Sequence, residues 1–205
     1  MSNFKTLQKV EKYQGTSYIS ILSSNSKKLD NDINNQFRPF FDKWSLYYHL
    51  SNDTINWDIN SYKIIFRNIY NPVILIELKK EIKEYIVQKS MLFIMRNNIK
   101  PFWEDNLNKD GGFFSFKIKS MYVYNVWWDF VLLLCGERLM KDQKNMEKVN
   151  GLSINPKNGY SIIKIWLKDL KLQDYNVLNL EEIEGLRYQD ECDKIPLFRP
   201  HNVKK

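Results

Sequence analysis

The sequence predicts an α+β fold, a curved antiparallel sheet with helices packed on one face. Three observations carry this. Six short runs are rich in aromatic and β-branched residues, two segments place apolar residues at three- and four-residue steps, and the second of these has two apolar stripes that need two covers.

Residues 1–36 contain Ser23-Ser24-Asn25-Ser26-Lys27-Lys28 and Asn31-Asp32-Ile33-Asn34-Asn35-Gln36, too polar to bury anything continuous, and read as a mobile tail ahead of one domain over 37–205. The first strand is expected at Lys43 to Leu50, where Trp44, Leu46, Tyr47 and Tyr48 crowd together, and the second at Tyr62 to Arg67. Asn71 as N-cap and Pro72 at the first helical position start a helix over about 72–88, with Leu75, Leu78, Ile82 and Tyr85 on its stripe. Strands follow at Met91 to Met95 and Phe113 to Lys119. The second helix, Asn125 to Gly136, sets Trp127, Val131 and Leu134 on one stripe and Trp128, Leu132 and Cys135 on another, with Gly136 to end it. A sheet covers one stripe; the other faces a neighbouring helix or another molecule. Gly151 to Ile154 and Ser161 to Leu167 complete the strands, and in the last Ile163 and Ile165 alternate with Ile162, Lys164 and Trp166, giving one face to the core. No internal repeat is visible.

At 205 residues there is room for one core but not for two catalytic domains, and 43% hydrophobic with 15% aromatic residues is not the composition of a disordered chain. The longest apolar stretch, Val126 to Cys135, is broken by Asp129 and falls far short of the ~20 residues of a membrane helix. Met1 to Lys12 lacks an apolar centre, so no secretory signal is expected. Two cysteines, Cys135 and Cys192, are too few for a disulfide framework or a four-ligand zinc site, which points to a reducing, cytoplasmic setting. A net charge of +7 suits an anionic partner or a solvated lysine surface equally. The absence of alanine and the excess of Asn, Ile and Lys suggest an AT-rich genome, such as that of a protist or a large DNA virus.

Enzyme readings fail on inventory. Only two histidines are present, His49 alternates with aromatics in a strand and reads as structural, and no phosphate-loop, dinucleotide or zinc-protease motif occurs. Gly111-Gly112 reads as a turn, and no metal or cofactor is called for. Of six tryptophans, two sit badly as core fillers: Trp57 follows Ser51-Asn52-Asp53-Thr54-Ile55-Asn56, and Trp103 lies in Lys100-Pro101-Phe102-Trp103-Glu104-Asp105, both loop-forming runs. Loop aromatics beside a carboxylate suggest a stacking site.

In order along residues 37–168, Trp44-x-Leu46-Tyr47-Tyr48, Asn52-Asp53-x-x-x-Trp57, Ile99-x-Pro101-x-Trp103-Glu104-Asp105, Asn108-Lys109-x-Gly111-Gly112, Trp127 through Gly136-Glu137 and Lys164-Ile165-Trp166 resemble the eukaryotic translation initiation factor 4E family, which binds the messenger-RNA cap. The 46 positions separating Trp57 from Trp103 match that family too. Beyond Leu167 the likeness fades, and the long helix the family carries there is not evident.

The resemblance implies that Trp57 and Trp103 sandwich a cationic 7-methylguanine, combining stacking with cation–π attraction. It implies that the acceptor-only Glu104 takes the guanine N1–H and N2–H, and that Trp166 touches the methyl group. The triphosphate wall departs from the family, with Phe113 where an Arg follows the glycine pair and Ile162 in place of a Lys. Lys157 holds the position of a family Arg, and Lys164 is expected to take over the second role; Lys117, Arg199, His201, Lys204 and Lys205 are further candidates. Phe113 is expected to favour contact with the first transcribed nucleotide.

On the helical side the family binds scaffold or repressor peptides. Pro39 is retained there, Tyr70 and Ile74 replace a Val and a Trp, Trp128 replaces a Leu beside Asp129, and Leu132 is kept. Trp128 either packs on Ile74 in a closed surface or anchors a nonstandard partner. The function implied is a monomeric, non-enzymatic factor that recruits capped messenger RNA for translation initiation; the alternatives are a cap-holding decoy that represses translation and, less well supported, a cap-modifying enzyme.

Overall fold

The computed structural model describes residues 38–49 and 59–201. The expected tail, 1–36, lies outside the described residues. The described residues from Phe40 onward form one compact unit.

Seven strands form one antiparallel sheet: β1 Trp44–His49, β2 Lys63–Ile69, β3 Met91–Arg96, β4 Gly112–Lys119, β5 Val149–Pro156, β6 Tyr160–Leu167 and β7 Leu197–Pro200. Their order is β2-β1-β3-β5-β6-β4-β7. Alternation along each strand divides the sheet into two faces. Leu46, Ile94, Phe114, Phe116, Leu152, Ile163 and Ile165, all 0–1% exposed, join the main core beneath the helices. Burial of each such side chain contributes about 1.5–3 kcal/mol. The opposite face carries a smaller cluster of Met91, Phe93, Met95, Ile99 and Trp166, flanked by Tyr47 and Tyr62.

The six expected strands are present to within one to two residues at most ends. The first expected helix is two: α1, Pro72–Glu81, and α2, Glu84–Lys89. Asn71 caps α1 as expected, its side-chain oxygen accepting from the Ile74 N–H at 3.0 Å, with Pro72 following. The break at Ile82–Lys83 has a packing cause. Continuing the stripe would send Tyr85 inward, but Tyr85 is 50% exposed and Val87, out of phase with it, is fully buried. The extended backbone at Ile82 re-aims the next turn so that Val87 reaches the core.

Helix α3, Val123–Cys135, is buried almost all round. The sheet covers one side, and α2 with the turn Glu184–Tyr188 covers another. Gly185 permits that close approach: a Cβ there would meet Val126 Cγ2 at 2.3 Å. Beyond β6 the chain runs through short 3₁₀ turns at Tyr175–Val177, Leu180–Glu182 and Glu184–Tyr188 and a single turn, α4 Glu191–Lys194, before β7. The absence of a long helix signal after Leu167 corresponds to this succession of turns.

Candidate functional site

The loop from Asn97 to Gly111 joins β3 to β4 and carries Trp103 and Glu104. Its tip stands clear of the core because its base is tied by a buried amide pair. Asn108, with no exposed surface, donates from Nδ2 to the carbonyls of Lys100 at 2.9 Å and Phe102 at 2.7 Å. Asn150 Nδ2 in turn donates to Asn108 Oδ1 at 3.0 Å and to the Leu107 carbonyl at 2.7 Å. The Asp105 carboxylate accepts from the Leu107 N–H at 2.9 Å. These bonds satisfy backbone carbonyls that the loop would otherwise present to water. Trp103, 46% exposed, and the exposed Glu104 therefore project from a fixed base.

Gly111 and Gly112 do more than turn the chain. A Cβ on Gly111 would lie 1.9 Å from the Leu167 carbonyl oxygen, and one on Gly112 2.6 Å from that of Arg199. Gly112 is already a residue of β4, between β6 and β7.

A run of aromatic rings crosses the sheet face. Tyr62 meets Phe102 at 6.3 Å and Phe93 at 5.3 Å, Phe93 meets Trp166 at 6.5 Å, Trp166 meets His201 at 4.8 Å, and His201 meets Phe113 at 5.5 Å. Trp166 lies on the face expected of it yet is only 7% exposed, its Nε1 donating to Ser153 Oγ at 2.9 Å. Burial, with the nearby Glu104 charge, pushes the Tyr62 phenol up to about 12. His49, also buried, packs against Tyr62 at 5.0 Å, in keeping with a structural role.

Phe113 is partly buried, and the Lys164 Nζ sits 4.1 Å from its ring centroid. Burial, then Arg199 and Lys157, lower the Lys164 pKa from the ordinary lysine value. Lys157, Lys164 and Arg199 thus concentrate positive charge at the β4–β6–β7 edge. His201, held down to about 4 by burial and then by Lys164, is neutral there. Its Nε2 is buried without a hydrogen-bond partner among the described residues. Lys117, by contrast, is engaged by Asp193 at 2.9 Å. Trp57, Lys204 and Lys205 lie outside the described residues. Sequence reasoning considered His201 only as a phosphate ligand; its place over Trp166 follows from β7 pairing with β4, for which the sequence carries no clear signal.

Pro39, which ends a separate N-terminal unit, is exposed; on the helical side of the domain the Tyr70 carbonyl accepts from the Phe40 N–H at 2.7 Å. Ile74 is half-buried against the core. Trp128 is 1% exposed and its ring belongs to the core, which favours the closed surface, of the two readings, and corrects the exposed anchor. Apolar side chains on α1 and α3 that reach solvent include Leu132, 42% exposed, and Ile76, 48%. Asp129 is half-buried, and its carboxyl is raised above the ordinary value by burial, with Lys79 opposing and Glu184 adding. Among the described residues no group of three His, Cys, Asp or Glu side chains could hold a metal ion, and no helix is long and apolar enough to cross a membrane.

The family model "Eukaryotic initiation factor 4E" matches residues 39–202. A eukaryotic translation initiation factor 4E homolog of Acanthamoeba polyphaga mimivirus is 37% identical over 62 residues, which are 30% of this chain and 23% of the relative. The eukaryotic translation initiation factor 4E of Eremothecium gossypii is 32% identical over 112 residues, 54% of this chain and 51% of the relative. The matches thus span about half the length of the fungal relative and less of the viral one. Among solved structures, C. elegans eIF4E-3 in complex with the 4E-binding protein Mextli and a cap analog aligns with a TM-score of 0.68 at 18% identity, covering 81% of this chain and 94% of that one. Ascaris suum eIF4E-3 with an m2,2,7G cap aligns at 0.65 and 19% identity, covering 83% and 94%. At these identities the structural likeness establishes the fold.

Proposed function

Because the chain belongs to the eukaryotic initiation factor 4E family, we propose that it binds the 7-methylguanosine cap of messenger RNA and recruits the message for translation initiation. The observation that carries the reading is Trp103, half-exposed beside Glu104 on a loop whose base is fixed by Asn108 and Asn150. A flat cationic purine stacks on Trp103 with about 1–3 kcal/mol per contact, and cation–π attraction adds up to about 2 when the site is dry. Trp57 supplies the opposing ring. Glu104 accepts from N1–H and N2–H, which selects guanine, and the positive charge on the methylated base selects the cap.

Trp166 forms the floor near the methyl group. The triphosphate runs toward Lys157 and Lys164, where Phe113 serves as a platform for the Lys164 ammonium rather than as a phosphate ligand. A cation moved from β4 to β6 in this way keeps the charge at the edge although the family's Arg is absent. Phe113 also offers an apolar surface to the first transcribed nucleotide; equal affinities for cap mononucleotide and capped dinucleotide would remove that role.

A scaffold or repressor peptide docks on the helical side through Leu132, with Tyr70, Ile74 and Asp129 at its border. The Mextli complex of the C. elegans protein supports a peptide partner of this kind. The proposed role is binding rather than catalysis. Tryptophan fluorescence tests the cap assignment: 7-methylguanosine triphosphate should quench the wild type, GTP should not, and Trp103→Ala should respond little. Equal quenching by both nucleotides would refute it.

A further inference from the structure

At the opposite edge of the aromatic sheet face, a groove of about 490 Å³ lies between β1, β2 and the start of the Trp103 loop. Its polar wall is already ordered. Ser45 Oγ donates to Asn97 Oδ1 at 2.8 Å, and Asn97 Nδ2 donates to Asn68 Oδ1 at 2.7 Å. That chain of bonds leaves the Asn68 NH₂ without a hydrogen-bond partner among the described residues. Asn68 occupies the left-handed region, with φ 58°, where asparagine is tolerated better than most residues.

Arg67 and Lys100 bring two positive charges to the groove, and among the described residues no carboxylate lines it. Neither cation forms an ion pair among the described residues, whereas Lys80, Arg96, Lys117, Lys119, Arg138, Lys141 and Lys194 all do. The nearby acids are Glu104 and Asp105, whose charges are felt by Tyr62 and Tyr47 respectively. Those two half-buried tyrosines supply flat, phenol-tipped surfaces. Unpaired cations, an amide donor and aromatic rings in one groove suit a ligand with a phosphate and a planar ring. The volume falls within the range of small-ligand pockets.

The geometry points to a second site here: Arg67 and Lys100 hold a phosphate of single-stranded RNA while its base lies against Tyr47 and Tyr62. Along the sheet, Lys164 on β6 is four strand spacings from Arg67 on β2, roughly 19 Å, and Arg199 on β7 is six, roughly 29 Å, so the nucleotide in the groove is not the one whose triphosphate would reach those cations. The site does not rest on the cap reading, since an uncapped strand suffices.

The test is fluorescence anisotropy of a labelled, uncapped ten-residue oligouridine with the full chain. Three proteins are compared: wild type, Arg67→Glu/Lys100→Glu, and a control with the same change in net charge on the helical side, Lys80→Glu/Lys83→Glu. The groove variant should weaken binding about tenfold or more and flatten its salt dependence, while the control loses about threefold or less. Equal weakening in both variants would reduce the effect to the protein's overall field and overturn the site. So would a wild type that binds adenosine monophosphate but not the oligomer, which would make a free nucleotide the occupant. Quenching by 7-methylguanosine triphosphate, read in parallel, should be unchanged in the groove variant; its absence from all three proteins would sink the cap assignment alone.

Discussion

The Trp103 loop and helix α3 each present a tryptophan followed by an acidic residue, Glu104 and Asp129, yet one ring is 46% exposed and the other, Trp128, 1%. Hydrophobicity cannot separate them. The backbone does. The loop's carbonyls are taken by Asn108 and Asn150, so the chain at Trp103 is held without burying its side chain. Helix α3 satisfies its own backbone and is free to bury nearly its whole circumference, with α2 and the Glu184–Tyr188 turn closing over it. A tryptophan is available to a ligand where polar contacts, rather than its own packing, hold the chain beneath it.

The sharpest way to break this contrast is to truncate both rings. Trp128→Ala should cost about 3–5 kcal/mol of folding stability in denaturant unfolding. Trp128→Phe should cost far less, because the Trp128 Nε1–H is buried without a partner among the described residues and the variant removes that penalty along with the ring's edge. A neutral Trp128→Ala would return the residue to the surface. Trp103→Ala should leave stability within about 0.5 kcal/mol of wild type and remove about 1–3 kcal/mol of cap affinity. A Trp103→Ala protein that unfolds early would place that ring in the core and end the stacking model.

Asn108 then tests whether the base of the loop matters to its tip. Asn108→Ala frees the Lys100 and Phe102 carbonyls and takes an acceptor from Asn150. It should cost about 1–3 kcal/mol of stability and also lower cap affinity, although Asn108 is buried beneath the binding surface. Unchanged affinity in a destabilised variant would show that the tip holds its place unaided.

Much of this organisation is legible in the sequence because it is local. The strands follow from alternation, the start of α1 from Asn71-Pro72, and the exposed Trp103 from the loop-forming residues on either side of it. What escapes is set by contacts distant in the chain. The break at Ile82 depends on where Val87 must go, and the burial of Trp128 depends on a core assembled from strands and helices distant in the chain. The tilted contact of His201 with Trp166 depends on a four-residue edge strand, β7, too short to show periodicity. The family resemblance marks Phe113 as a lost phosphate ligand; only the fold brings Lys164 over its ring, because β4 and β6 pair Phe113 directly with Trp166 and set Lys164 two residues away.

That rebuilt corner differs from the Trp103 end in depending on a titratable group, which allows a smaller but diagnostic test. Lys164 is buried and faces Arg199 and Lys157, so its folded pKa lies below the ordinary lysine value of 10.5. In the window between the folded value and 10.5 the unfolded chain binds more protons, so Lys164 makes stability rise with pH there: its desolvated charge is a cost below the window that is relieved above it. Affinity has the opposite sign, since the triphosphate loses a cation as Lys164 deprotonates. Cap-analog affinity, titrated upward from pH 7, should therefore fall by about two- to fivefold more in wild type than in Lys164→Arg, whose guanidinium stays charged. Titration of the ligand itself is common to both proteins and cancels in the ratio. Identical profiles would separate Lys164 from the phosphates and leave Lys157 and Arg199 to hold them.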